Sequence, residues 1–246
     1  MVLLVGSLLA VVGCRVDVVV DLTVRADGTG ELVVMATADA EVVEEVPGLA
    51  EDLRFDDAIA AGWSLDGPAP TDTGGLTVTL RHTITSADEA NNLLASLGPP
   101  FTGVRLTRTT SGDTTTVELD GQLALTGGFD AFADADLVAA IGGRPFAADL
   151  AASEATPADS MSVRLRAALP GDVESTTGTG VDGALEWDAP LDGGALDLSS
   201  RAVQRPAPGW ATIVSVTAVA LLIVWIVFVA AVALSIIKLR RRRTRF

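Results

Sequence analysis

The sequence predicts an α+β domain, mostly antiparallel β-sheet with two to three helices packed on it, plus one C-terminal transmembrane helix. Three observations predict it. Residues 15–25 alternate strictly, with Val16, Val18, Val20, Leu22 and Val24 on one parity and Arg15, Asp17, Asp21, Thr23 and Arg25 on the other. That is the period of a half-buried strand, and it recurs along the chain. Between such segments the apolar period changes to that of a helix, as in Val42, Val43, Val46, Leu49, Leu53 and Ile59. Finally, residues 211–237 form an uncharged run of 27 residues. As a helix it would reach roughly 40 Å, against a hydrocarbon core of about 30 Å.

The elements follow in order. The turn Ala26-Asp27-Gly28-Thr29-Gly30 joins the first strand to a second, whose inward residues are Leu32, Val34, Ala36 and Ala38. The helical stretch 40–61 is broken at Pro47-Gly48 and ends at Gly62. A short strand over 63–65 leads through the turn GPAPTDTGG to a strand with Leu76, Val78, Leu80 and Ile84 inward. Ser86 and Glu89 have capping-box spacing and open a helix through Leu93, Leu94 and Leu97. A hairpin follows, turning at Ser111-Gly112-Asp113, with Val104 and Leu106 facing Val117, Leu119, Leu123 and Leu125. Phe129, Phe132, Leu137 and Ile141 predict a short amphipathic helix ending at Gly142-Gly143. Residues 143–160 are small, polar and weakly patterned, and read as a mobile connection. Strands resume at Met161 and close near Val203.

The ends carry the addressing signals. Residues 1–13 read as a lipoprotein signal peptide whose last residues, Val11-Val12-Gly13, precede Cys14 as in a bacterial lipobox. Cys14, the sole cysteine, is then the lipidation site, and an internal disulfide is excluded. No basic residue precedes the apolar run, which departs from the usual charged n-region. The domain spans 14–203, a linker 204–209, the spanning helix 210–237 and a basic tail 238–246. Lys238, Arg240, Arg241, Arg242, Arg243 and Arg245 are the topology signal, placing the tail in the cytoplasm and the domain on the extracytoplasmic side of the cell membrane.

Charge narrows the functions. The chain carries a net −15, but its 32 acidic residues all precede Trp210, beside only 11 arginines, leaving that region at −21. Nucleic acid is excluded as a partner, because counterion release needs a basic face. His82 is the one histidine, on the inward parity of its strand, and reads as a structural hydrogen-bonding residue. No serine sits in a G-x-S-x-G elbow. Asp130, Asp134 and Asp136 lack the glycine and terminal glutamate of a calcium hand. The glycine pairs lack phosphate-binding spacing. No catalytic residues, metal or cofactor are expected, and the chain does not read as an enzyme.

The order of features then resembles a known family. DLRFDDAIAAGW (52–63) and GGLTVTLRH (74–82) are its most specific phrases. They stand with SADEANNLLASLGPPF (86–101) and the late LPGDVESTTGTGVDGALEWDAPLDGG (169–194). Together they look like the LppM-type lipoproteins of actinobacterial envelopes. That resemblance implies an α/β sheet domain that binds envelope lipid or glycolipid without catalysis. Leu53, Ile59, Leu93, Leu97, Phe129 and Phe132 are the candidate pocket residues, with acyl chains held between helices and sheet. The competing expectation is a structural or signalling protein that docks envelope proteins through its acidic face. A hydrolase built on His82 is the third reading.

Overall fold

The computed structural model describes residues 15–132 and 156–205. The chain divides into a unit ending at Gln204 and a second from Arg205 onward. The described part of the first unit is two β-sheets sharing one core.

The first strands form as their alternation requires. β1 (Val16–Val24) and β2 (Gly30–Ala38) pair antiparallel, with Val20, Leu22, Val24 and Leu32 buried. Three short helices follow: α1 (Ala40–Glu45), α2 (Leu49–Asp52) and α3 (Asp56–Ala60). Asp39 caps α1 by accepting from Val42 N at 2.9 Å. Gly48, at φ 88°, makes the left-handed step that separates α1 from α2. β3 (Ser64–Pro70), β4 (Leu76–Ile84), helix α4 (Ala87–Ser96), β5 (Phe101–Ser111) and β6 (Thr114–Ala124) come next. A 3₁₀ turn covers Gly128–Phe132. After residue 155 come α5 (Pro157–Ser160), β7 (Met161–Ala168), β8 (Asp172–Thr176), β9 (Thr179–Val181), β10 (Ala184–Asp188) and β11 (Ala195–Gln204).

The seven-stranded sheet runs β3-β4-β2-β1-β7-β10-β9 and the four-stranded sheet β5-β6-β11-β8. The core joins both sheets: Leu22, Leu165 and Trp187 from the first, Leu119, Leu123 and Leu198 from the second. Ala90 and Leu94 of α4 are buried in the same cluster. Leu125, Val163 and Leu191 form a smaller cluster beside it.

The predicted fold class needs correcting. The domain is mostly β and contains two sheets, so the face expected to carry several helices is covered by a second sheet. Among the described helices, α4 alone contributes to the core clusters; α1, α2 and α3 bury no residue and α5 buries Pro157. The described strand pairings are mostly antiparallel, as expected, with β1 and β7 running parallel from Val16↔Met161 to Thr23↔Ala168. No helix among the described residues is long and apolar enough to cross a membrane. The helix expected over 210–237 lies outside the described residues, as do the signal peptide, Cys14 and the basic tail.

Two smaller differences have local causes. β3 runs on to Pro70, where a turn was expected. It is an edge strand with a register shift between Asp66 and Ala69, where proline removes no needed ladder donor. Residues 156–160, expected within a mobile connection, form α5, where Thr156 and Asp159 make a reciprocal capping box. The remainder of that connection lies outside the described residues, with Leu137 and Ile141.

Candidate functional site

The outward parity of the seven-stranded sheet, which reads in sequence as a solvated face, lines an open cavity of about 350 Å³. Strand register builds it in rows. One row crosses the sheet as Arg81, Val33, Asp21, Arg166 and Glu186, from β4 through β2, β1 and β7 to β10. The next runs Thr79, Met35, Val19, Arg164 and Asp188. A third brings Glu31 beside Thr23. Val19, Val33 and Met35 make an apolar floor, and Met35 is 41% exposed, unusual for a large apolar side chain on a sheet.

The charges around this floor fall into two groups. Toward β10 they are paired. Arg164 Nε donates to Asp188 Oδ1 at 2.8 Å and lies 3.1 Å from Glu186 Oε1. The hydrogen bond to Asp188 raises the Arg164 pKa above its ordinary value. Arg166 lies 3.6 Å from both Asp21 and Glu186, too far for hydrogen bonds, so its donors are only electrostatically matched. Near Arg15, burial pushes the Asp17 carboxyl up. Hydrogen bonds from Ser162 and Arg15, with the Arg15 and Arg164 charges, outweigh that and hold it below 3.8.

Toward β4, Arg81 and Glu31 have no ion pair or side-chain hydrogen bond among the described residues. Counted with Asp66, which pairs with Thr79 from β3, Arg15, Arg81, Arg164 and Arg166 face Asp17, Asp21, Glu31, Asp66, Glu186 and Asp188, a smaller excess of acid than in the chain at large. The chain ahead of Trp210 carries 11 arginines against 32 acids. This face is therefore less acidic than the domain as a whole.

The six sequence candidates do not meet here. Leu93 and Leu97 pack against the main core from α4 and the residues just after it. Leu53 is half-buried beyond α2, and Ile59 is 51% exposed on α3. Phe129 and Phe132 lie in the 3₁₀ turn, where Phe132 is exposed. None of the six lines the sheet-face cavity or the two others found among described residues, of about 310 and 340 Å³. The residues that do line the sheet-face cavity escaped sequence reasoning because they occupy the polar parity. The one signal for them was the apolar Val19, Val33 and Met35 interrupting that parity.

His82 contacts neighbours on its own strand and on the turn before β3. Its Nδ1 lies 2.8 Å from the Thr83 carbonyl oxygen, and its ring meets Trp63 edge-on at 5.4 Å. No group of three His, Cys, Asp or Glu side chains among the described residues could hold a metal. Asp130 sits in the 3₁₀ turn; Asp134 and Asp136 lie outside the described residues.

The fold and site define a class: a two-sheet, β-rich domain with an open, charge-balanced cavity on its larger sheet. No family model matches the chain, and no curated protein matches it. Among solved structures, it is similar to the folded domain of Mycobacterium tuberculosis LppM determined by NMR. The match has 16% identity and a TM-score of 0.40, covering 79% of this chain and 91% of that one.

Proposed function

We propose that this protein is an envelope lipoprotein, lipidated at Cys14 and attached to the membrane on its extracytoplasmic side. Its domain binds lipid or glycolipid without catalysis. The observation that carries this reading is the sheet-face cavity, where an apolar floor lies beside unpaired charge and the lining holds as many arginines as carboxylates. Amphiphiles suit such a site, because the floor takes methylenes and the rim takes polar groups. Native mass spectrometry of the full chain released from nonionic detergent tests it. Adducts of lipid mass are expected, and Val33→Glu, which puts a charge on the floor, removes them. A ligand-free mass with no uptake of added lipid would refute the reading. Labelling with a fatty-acid probe, lost on Cys14→Ala, tests the anchor separately.

A second reading, docking of envelope proteins, is favoured by α1–α3. That segment buries none of its residues and exposes Val46 and Ile59 among acidic side chains. Crosslinking in cells should then capture one specific protein, lost when Glu44, Glu45, Glu51 and Asp52 are neutralised.

A further inference from the structure

We propose that the sheet-face cavity selects a zwitterionic headgroup, a phosphodiester joined to a primary ammonium, over a purely anionic one. The inference rests on the lipid-binding reading above and gives it a chemical class.

The argument is one of unspent charge. Arg166, the cation at the β7 edge of the cavity, stands between Asp21 and Glu186, so its field is already cancelled by two carboxylates. An anion placed there meets no net positive potential. Arg81, exposed on β4, is the cavity cation without an ion-pair partner among the described residues, and Glu31 on β2 is the anion without one; Asp66 of β3 lies diagonal to Arg81 but neither lines the cavity nor pairs with it. Val33 pairs directly with Arg81, and Glu31 lies two residues along β2 from Val33. Arg81 and Glu31 are thus diagonal neighbours on adjacent strands, about 7–8 Å apart at their backbones.

A headgroup with a phosphate and an ammonium two carbons apart spans that diagonal. The phosphate takes the Arg81 guanidinium and the ammonium donates to Glu31. A purely anionic headgroup leaves Glu31 as an unpaired repulsive neighbour, which is how a site rejects the wrong ligand. A quaternary ammonium fits less well. It has no N–H for Glu31, and the lining lacks the aromatic faces that hold such groups elsewhere. The floor of Val19, Val33 and Met35 lies beside both charges and takes the first methylenes of the acyl chains.

The test follows the methyl resonances of 13C-methyl-methionine in the full chain held in nonionic detergent micelles. Met35 reports on the cavity, and Met161, which lines a different cavity, reports on the fold. Dihexanoyl phosphatidylethanolamine should shift Met35 at roughly tenfold lower concentration than dihexanoyl phosphatidylglycerol, the worth of one charge-assisted hydrogen bond. Glycerophosphoethanolamine, which lacks acyl chains, should bind far more weakly than the lipid. Equal binding would mean a soluble-phosphodiester site and overturn the lipid reading. Arg81→Gln should weaken both lipids, whereas Glu31→Gln should weaken the ethanolamine lipid and strengthen the glycerol lipid. If both lipids shift Met35 equally, or Glu31→Gln affects them alike, the headgroup inference fails and lipid binding stands. If no lipid moves Met35 while Met161 keeps its wild-type position, both fail.

Discussion

Thr177 bears more of the molecule than a loop threonine usually does. It lies between β8 of the small sheet and β9 of the large one. Its Oγ1 accepts from Trp187 Nε1 and from Ser199 N, both at 3.0 Å, and donates to the Asp197 carbonyl at 2.9 Å. Trp187 is 2% exposed, so its indole N–H has no ready water to replace that partner. Thr177→Val keeps the shape and removes the oxygen. It should cost about 1–3 kcal/mol, the penalty for an orphaned buried donor, and Thr177→Ser should restore most of it. Urea unfolding at pH 7 measures this; a Val variant with the wild-type midpoint would show that the indole N–H finds another partner. Gly178, next to it, is fixed sterically, since a Cβ there would lie 2.5 Å from the Trp187 ring.

Two carboxylates set an acid limit. At Glu89, hydrogen bonds from the Thr85 hydroxyl and backbone N–H, with the nearby His82, hold the pKa below 4.5. At Asp17, burial opposes but does not overcome the Ser162 and Arg15 hydrogen bonds, and the pKa falls below 3.8. Both folded-state values lie below the unfolded ones. Their stabilisation is therefore full above the unfolded values and is lost as pH falls through the folded ones. The urea midpoint should drop as pH is lowered from 5 to 3, in part through these two groups. Glu89→Gln should have a lower midpoint at pH 7 and a shallower acid decline. An unchanged slope would mean that Glu89 does not contribute.

At the scale of elements, α4 has a task that its short length hides. β5 is an edge of the small sheet, and edges expose unpaired backbone groups. Asn91 of α4 reaches across to Leu106 of β5. Its Oδ1 accepts from the Leu106 N–H at 2.7 Å, and its Nδ2 donates to the Leu106 carbonyl at 3.0 Å. One amide thus imitates a neighbouring strand. Leu106 is 2% exposed, so Asn91→Ala orphans two buried groups and should cost about 2–4 kcal/mol. It should also promote self-association, visible as a larger species by light scattering. A monodisperse variant of unchanged stability would show that α4 is not the cover for this edge.

What the sequence made legible at this scale follows from what alternation encodes. Period two says which face of a strand is buried, so the inward residues of β1, β2, β4 and the β5–β6 hairpin could be read directly. Ser86 and Glu89 announced α4, although Glu89 reaches back to Thr85 and not to the cap residue itself. Period two does not say which strand lies alongside. The parallel pairing of Val16 with Met161 joins segments 145 residues apart in sequence, and no local pattern marks it. The division into two sheets was invisible for the same reason. The cavity was hidden because register, not sequence proximity, assembles Arg81, Val33, Asp21 and Arg166 into one row.

For the whole molecule, the governing fact is the excess of acid over base ahead of Trp210, 32 residues against 11. Self-repulsion of that size opposes the compact state, while the ion pairs around Arg164, Arg166 and Arg201 favour it. Salt weakens both, so magnitudes decide the sign. Each of these pairs involves partly exposed groups and is worth about 0.2–1 kcal/mol. The repulsion is summed over every unpaired carboxylate within a Debye length, which is about 30 Å at 0.01 M salt and about 8 Å at 0.15 M. Screening should therefore remove more repulsion than attraction. The thermal midpoint at pH 7 should rise between roughly 0.01 M and 0.15 M sodium chloride, by about 2–4 °C for each kcal/mol of repulsion relieved in a domain of this size. Calorimetry on the full chain in nonionic detergent measures it. A falling midpoint would mean that the paired arginines outweigh the acidic surplus. In that case the sheet face would be an internal brace, and its claim to be the place where a charged amphiphile docks would weaken with it.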